Sequence, residues 1–389
     1  MQAAPTARYP IFLVIDPDEA RGERLARLLT LANLRVVLTN SPVMAFGRYL
    51  QEPFDARAIL LGAVEDQGGT VLGRLTQRMS QQFGRLVPTI PIPFHVPDSP
   101  PLVALETNPF VPAQTHMIAR ECLPILEQIW AIAPEARPRL ELAEYALTLS
   151  LLPGQGLPAH ITQLRRSRNS HFRQVLSTAR DLIGAHRWDA AMLDVGMGVL
   201  RDPRNWPADT DERAIPPEYL TLLHQAVAFS NAVDPEAQLR RWSELGTQLS
   251  LKEHTPSAIT QQALKLLSKE QVMNATLKAY TNEMNEVRGE TLQEWQRRPD
   301  GCYWVVHYSN LYTYGRLRTE RPECHLWLES IEATLRLVHL DEAWEVVEKE
   351  CTCQTQTGHC LFVVRQRSTP PQGASNAQRG RITRRFTNG

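Results

Sequence analysis

Residues 11–18 read IFLVIDPD, an uninterrupted apolar run that stops at two acids around a proline. Such a run is typical of a strand that is buried on both faces, as in a parallel sheet covered by helices on each side. The apolar residues of 25–32 then recur at helical spacing. Short apolar runs follow at 36–38 and 58–61, with an amphipathic stretch at 43–50 between them. Strands that alternate with helices predict a doubly wound parallel sheet.

Two further strands extend this sheet. Ile90 and Ile92 favour a fourth strand, and the prolines around them confine it to an edge, because proline cannot donate a ladder hydrogen bond. The apolar residues 102–105 predict a fifth strand, followed by a helix over about 112–130. We therefore predict an N-terminal α/β domain over residues 9–130.

This domain resembles the receiver domain of response regulators at two places. Residues 13–16 (LVID), followed by an acidic turn, look like its start. Residues 107–110 (TNPF) look like its closing Lys-Pro-Phe turn, with Asn108 in place of the lysine. The resemblance implies a flavodoxin-like fold.

The residues that a receiver uses for phosphorylation are incomplete here. The family needs an aspartate after the third strand as phosphate acceptor, acids that hold Mg²⁺, and a lysine. Gly62 occupies the acceptor position, Asn108 replaces the lysine, and only Asp16 and Asp18 remain. A glycine cannot be phosphorylated, so we predict a pseudo-receiver that serves as an interaction module. The two remaining acids can also be interpreted as a solvated turn without a metal.

A second domain follows a proline-rich linker over 131–165, in which residues 140–152 could form one helix. Helical spacing of apolar residues recurs at 172–179, at 220–227 and at 273–287. Three stretches rich in aromatic and β-branched residues then predict strands, with a helix from Cys324 to Val338 between the first two. They cover residues 302–308, 344–348 and 361–364. We predict an α+β domain with a small antiparallel sheet over residues 166–366.

The overall composition gives few indications of a partner. The 389 residues include 42 basic and 42 acidic side chains, so net charge favours neither nucleic acid nor a membrane surface. No run of 18 apolar residues occurs, and Met1–Pro10 lacks signal-peptide features, so we expect no membrane span and a cytoplasmic protein. All five lysines lie between Lys252 and Lys349. Chemistry that needs a lysine is therefore excluded from the N-terminal half.

Four of the six cysteines fall between residues 324 and 360, which predicts a metal site in a reducing compartment. Zinc prefers four ligands in a closed tetrahedron, and thiolates with a carboxylate or an imidazole supply them. The candidates are Cys324, either Cys351 or Cys353, Cys360, and either Glu348 or His359. The alternative is a group of buried thiols without metal.

The same residues carry a second resemblance, to the 4-vinyl reductase domain. It rests on residues 322–326 (PECHL), 348–351 (EKEC) and 358–362 (GHCLF), and 207–219 also looks like longer bacterial members. The family occurs in sensory modules of phenol- and xylene-responsive transcription activators. The resemblance implies an α/β fold, a pocket for small hydrophobic molecules, and a zinc site formed by Cys324, Glu348, Cys351 and Cys360.

This chain departs from the family pattern in two ways. Its last two matching cysteines, Cys351 and Cys360, are nine positions apart, whereas the family usually has eight. Residues 309–315 contain no cysteine, although many relatives carry further cysteines there.

The ligand pocket implied by the family is predicted between the helix over 273–287 and the first strand of the small sheet. Its expected lining is Tyr280, Met284, Trp304, Val306 and Trp327. Methionine suits a pocket for varied apolar ligands because its side chain is flexible, and pockets are mostly apolar. A filled core made of the same residues is the alternative.

These features favour a signalling or regulatory protein over an enzyme, because no catalytic constellation or dinucleotide motif is found. Its expected partners are a small hydrophobic ligand and another polypeptide or a second copy in a homodimer. One alternative is an accessory or reductase-like role in tetrapyrrole metabolism, as the family name suggests. Another is a DNA-associated regulator that acts through the predicted disordered, arginine-containing tail over 367–389.

Overall fold

The computed structural model describes most of both predicted domains. The described residues are 10–31, 34–63, 70–92, 123–132, 167–215, 217–231, 234–253, 266–288, 293–308, 312, 322, 324–351, 354 and 359–367. Asn108, Cys353, the predicted strand over 102–105, the linker helix over 140–152 and the tail from residue 368 lie outside them.

The first part of the chain is an α/β unit with a parallel sheet, as predicted. Its elements are β1 (Ile11–Ile15), α1 (Glu19–Leu31), β2 (Arg35–Thr39), α2 (Pro42–Gln51), β3 (Ala56–Leu61), α3 (Thr70–Phe83), β4 (Thr89–Pro91) and α4 (Leu123–Ile132). The strand order is β2-β1-β3-β4, and all described pairs are parallel. β4 lies at an edge of the sheet formed by the described strands, where the missing N–H donor of Pro91 leaves no ladder hydrogen bond unmade.

Burial on both faces explains why β1 is apolar throughout. Phe12 and Val14 pack into one cluster with α1 and α4. Ile11, Leu13 and Ile15 pack into another cluster with α2 and α3 on the opposite face. Because neither face of β1 contacts water, alternation is absent and the run is continuous.

The second part begins with a helical layer. Its helices are α5 (Asn169–Ile183), α6 (Ala185–Asp194), α7 (Pro217–Phe229), α8 (Pro235–Glu253) and α9 (Lys269–Arg288), with two short 3₁₀ helices at Gly198–Arg201 and Pro203–Asn205. The predicted faces at 172–179, 220–227 and 273–287 lie on α5, α7 and α9. Sequence reasoning did not predict α6 and α8.

A separate antiparallel sheet completes the described fold, as predicted. Its elements are β5 (Gln293–Arg297), β6 (Tyr303–Tyr308), α10 (His325–Leu337), β7 (Trp344–Glu350) and β8 (His359–Gln366). The strand order is β5-β6-β8-β7. One hydrophobic cluster joins this sheet, α10 and the helical layer. Within the described part of the chain, no helix combines the length and hydropathy needed to cross a membrane.

Candidate metal centre

Four side chains predicted as metal ligands converge at one end of the antiparallel sheet. Cys324 immediately precedes α10, Glu348 lies in β7, Cys351 follows β7, and Cys360 is near the start of β8. One ligand atom from each of the four lies within 4.8 Å of every other. The cluster thus joins a helix to two neighbouring strands.

Local backbone geometry turns the end of β7 toward the cluster. The β7–β8 register shifts between Glu348 and Glu350, so the pairing is irregular where the chain approaches Cys351. Such irregularities redirect side chains and often occur next to functional sites. Cys360 itself is paired in register with His307 of β6, which fixes its position in the sheet.

The sulfur atoms are close but are not bonded to one another. The Sγ of Cys324 is 3.5 Å from that of Cys351 and 3.1 Å from that of Cys360. A disulfide bond would need about 2.0 Å. Zinc–sulfur bonds of about 2.3 Å in a tetrahedron place two sulfurs about 3.8 Å apart, so the thiols need to separate by less than about 1 Å to hold zinc.

The electrostatic environment of the cluster is compatible with a bound cation. Burial, reinforced by the neighbouring Cys351, raises the pKa of Glu348 to about 9. Burial also raises the pKa of the Cys324 and Cys360 thiols above the usual range. Oε1 of Glu348 is buried and has no hydrogen-bond partner. A divalent ion would stabilise the ionised forms and satisfy this oxygen, so the residues fit a metal and its binding would release protons.

Of the two alternative ligands, His359 is described and is not part of the cluster. Nε2 of His359 lies 3.1 Å from Oε2 of Glu350, so this imidazole pairs with another acid. Because side chains alternate along a strand, His359 and Cys360 point to opposite faces of β8. Cys353 lies outside the described residues.

Asp16, predicted as part of a degenerate phosphorylation site, is neutralised by an ion pair with Arg21. The fully buried carboxylate of Asp16 accepts two hydrogen bonds from Arg21, each of 2.7 Å. Asp18 is exposed and accepts a hydrogen bond from the backbone N–H of Arg21, as an N-cap residue of α1 does. The guanidinium therefore provides the positive charge beside Asp16, and Asp18 has a structural role.

Gly62 lies directly beside this ion pair at the end of β3. A Cβ atom added at Gly62 would lie 2.7 Å from Oδ1 of Asp16 and 3.2 Å from Nη2 of Arg21. Any larger side chain would have to displace the ion pair. Sequence reasoning placed Asp16 and Gly62 correctly at neighbouring strand ends but missed Arg21.

The five residues predicted to line one pocket lie on two faces of the antiparallel sheet. Tyr280 and Trp327 lie on the helix-covered face and contact His307, with ring centroids 6.1 Å and 4.7 Å from its imidazole. Met284 packs at the margin of the same core. Trp304 and Val306 alternate with the buried residues of β6 and therefore point away from these helices. The guanidinium of Arg298 lies over the Trp304 ring at 4.2 Å from its centroid.

Other aromatic residues, which the sequence pattern did not single out, lie on the helix-covered side. His307, Tyr312 and Phe362 form a chain of ring contacts with Trp327 on the helix-covered side. Tyr312 also contacts Trp242 and the buried His224. The alternation of side chains along β6 could have indicated His307, because it places His307 on the same face as Val305 and Tyr303.

Comparisons with known proteins leave the family of the chain unassigned. No family model matches the chain, and no curated protein matches it. Among solved structures, the unliganded Fe(II) H-NOX protein from K. algicida is similar at 11% identity, with a TM-score of 0.36, over 52% of this chain and 97% of that chain. An H-NOX protein from S. oneidensis in the Fe(II)NO ligation state is 12% identical, with a TM-score of 0.32, over 50% and 98%. At this identity and TM-score, the likeness carries neither family nor function to this chain.

Proposed function

We propose that this chain is a regulatory protein whose C-terminal domain is held together by one zinc ion. The convergence of three thiols and one carboxyl group within 4.8 Å carries the proposal. Thiolate-rich tetrahedral sites favour zinc among the common divalent ions. Zinc content of the full chain, purified without chelator, tests it, and one ion per chain is expected.

The donor set favours a structural role for the metal over a catalytic one. Catalytic zinc sites keep one position open for water or substrate, whereas structural sites are closed by four protein ligands. Here Cys324, Cys351 and Cys360 are buried, and Glu348 provides a fourth donor. A site of this type stabilises the fold and is not itself catalytic.

The N-terminal unit is proposed to be a pseudo-receiver. Its strand order matches the first four strands of the flavodoxin-like order, 2-1-3-4-5. The Asp16–Arg21 ion pair occupies the end of the sheet where a receiver would bind Mg²⁺ and phosphate. Because Arg21 already neutralises Asp16 and Gly62 offers no acceptor, we propose that control does not come from phosphorylation.

A small apolar ligand is the proposed input of the C-terminal domain. The ring chain around His307 offers aromatic surfaces and a buried imidazole, a combination typical of sites for aromatic molecules. A bound metal would stabilise the ring chain around His307, because Cys324 precedes the helix that carries Trp327 and Cys360 pairs with His307 in the sheet.

A library of apolar and aromatic compounds is expected to contain one that raises the melting temperature, with the rise following the logarithm of ligand excess. His307→Ala should remove that rise because the ligand loses the imidazole and its neighbouring rings. Tyr308→Ala, on the opposite face of the same strand, serves as the control. If no compound shifts the melting temperature, or if both variants respond like the parent protein, the ring chain is only core.

A further inference from the structure

One place where the two domains meet is a segment that we call the joint, defined as residues 194–201; α7 also packs against α1. The joint starts at Asp194, the last residue of α6, and reaches the end of the first 3₁₀ helix. The carboxylate of Asp194 accepts hydrogen bonds from Nη1 and Nη2 of Arg48 at 2.8 Å and 2.7 Å. It also accepts one from the backbone N–H of Leu38 at 3.2 Å. A single side chain thus holds both α2 and β2.

These contacts cover an edge of the parallel sheet. β2 is the outer strand of the described sheet on the side opposite β4. Outer strands expose unpaired backbone groups, and proteins usually cover or block them. The bidentate pair with Arg48 is largely shielded, since the two side chains are 28% and 13% exposed. Such charge-assisted, bidentate contacts fix the relative orientation of the two side chains as well as their distance.

Two glycines let the joint approach α1 more closely than any other residue would allow. A Cβ atom at Gly196 would lie 2.2 Å from the backbone oxygen of Glu23 and 2.9 Å from the backbone nitrogen of Arg27. At Gly198 it would lie 2.1 Å from Oε1 of Glu23. The first contact involves backbone, which cannot rotate away, so Gly196 is required for the observed packing.

The hydrophobic residues of α6 and the joint belong to both cores. Leu193 packs against the cluster of the N-terminal sheet. Met192 and Val195 belong to the large C-terminal cluster, which also contains Cys324 and Cys360. Polar and apolar contacts to the N-terminal domain therefore start from a helix that is built into the C-terminal core.

We propose that the joint makes the N-terminal sheet and the C-terminal core open as one cooperative unit. The surface formed by α1 and β2 is then covered by the C-terminal domain of the same chain. A disturbance of the C-terminal core reaches the N-terminal sheet through Asp194 and Gly196. This inference goes beyond the proposed function and requires neither zinc nor a ligand.

Hydrogen exchange of the full chain, followed by mass spectrometry, measures the opening of each element. Gly196→Ala is expected to speed exchange in α1 and β2 by about tenfold or more, a change that corresponds to one or two kcal/mol. Gly184→Ala is the matched control. Both glycines have positive φ, +71° and +85°, but a Cβ at Gly184 would meet nothing within 4 Å. Since both substitutions strain the backbone, the pattern of exchange is the test: Gly196→Ala should speed exchange in α1 and β2 more than in α5 and α9, whereas Gly184→Ala should not. The same pattern in both variants would overturn the role of the joint.

The coupling itself is tested by disturbing the C-terminal core from a distance. Leu277→Ala removes a buried side chain from that core, on α9, which packs against β5 and α10. Exchange in β1 and β2 should rise together with exchange in α9, and this response should be lost when Gly196→Ala is also present. Unchanged exchange in β1 and β2 while α9 opens would contradict the proposal.

A milder pair of variants covers the case in which Gly196→Ala does not fold. Asp194→Asn keeps the shape of the side chain but removes the charge that Arg48 and Leu38 contact. Asp189→Asn on the exposed side of the same helix is its control. Each variant is combined with Leu277→Ala. Exchange of β2 should become independent of exchange of α9 in the Asp194→Asn variant and remain coupled to it in the Asp189→Asn variant, and identical behaviour of both would count against the joint.

Discussion

Replacing Cys360 by alanine is expected to lower the melting temperature of the C-terminal domain by about 10 °C. The thiol of Cys360 is completely buried and lies 3.1 Å from that of Cys324, so its loss removes one of four donors. Zinc present at a thousandfold excess over its Kd contributes about 4 kcal/mol to stability. For a domain of this size, each kcal/mol corresponds to about 2–4 °C. Thermal unfolding followed by near-UV circular dichroism measures the change.

Cys302→Ala is the control for this experiment. Cys302 is partly exposed and does not belong to the four-residue cluster. Surface substitutions of this kind usually change stability by less than about 0.5 kcal/mol. Adding a strong chelator should reproduce the effect of Cys360→Ala in the parent protein and add little in the variant. A melting temperature that is insensitive to both treatments would rule out a stabilising metal.

Gly62→Asp is expected to destabilise the N-terminal domain by about 3 kcal/mol and not to create a phosphorylation site. This substitution supplies the carboxylate that the receiver resemblance lacks. However, its Cβ would lie 2.7 Å from Oδ1 of Asp16, and a second carboxylate would compete for Arg21. Urea unfolding and the intact mass after incubation with acetyl phosphate and Mg²⁺ measure the two effects.

Gly73→Asp separates the effect of the site from that of the substitution. Gly73 lies on α3, and a Cβ added there would meet nothing within 4 Å. This control should retain the parent stability to within about 1 kcal/mol, since Gly and Asp differ little in helix propensity. A stable phosphoryl adduct on Gly62→Asp, with unchanged stability, would show that the Asp16–Arg21 pair does not block the site.

Hydrophobic patterning was sufficient to predict the four described strands of the N-terminal sheet, although it did not predict α3. β1 and β3 are buried on both faces, and that environment leaves continuous apolar runs in the sequence. β5 was missed because its sequence, QEWQR, is mostly polar. Its position depends on tertiary contacts, since the Asn285 side chain exchanges two hydrogen bonds of 2.8 Å with the backbone of Gln293. A local pattern does not contain such a contact.

The sequence does not indicate which face of β6 packs against the helices, because both faces carry large apolar or aromatic residues. Its sequence, YWVVHY, gives no alternation that separates Trp304 and Val306 from Val305 and His307. Which face of β6 is buried depends on how α9 and α10 pack on the sheet. The candidate metal ligands were easier to predict because the spacing of cysteines and acids is itself informative. The structure brings together Cys324, Glu348, Cys351 and Cys360.

Zinc content measured by elemental analysis tests the central claim most directly, with a matched pair of serine variants to locate the site. The full chain purified without chelator should contain one zinc ion, Cys351→Ser should contain almost none, and Cys353→Ser should keep the full amount. This result follows because Cys351 is fully buried within the four-residue cluster. Absence of stoichiometric metal from the parent protein, or an unchanged zinc content in Cys351→Ser, would contradict the proposed zinc site.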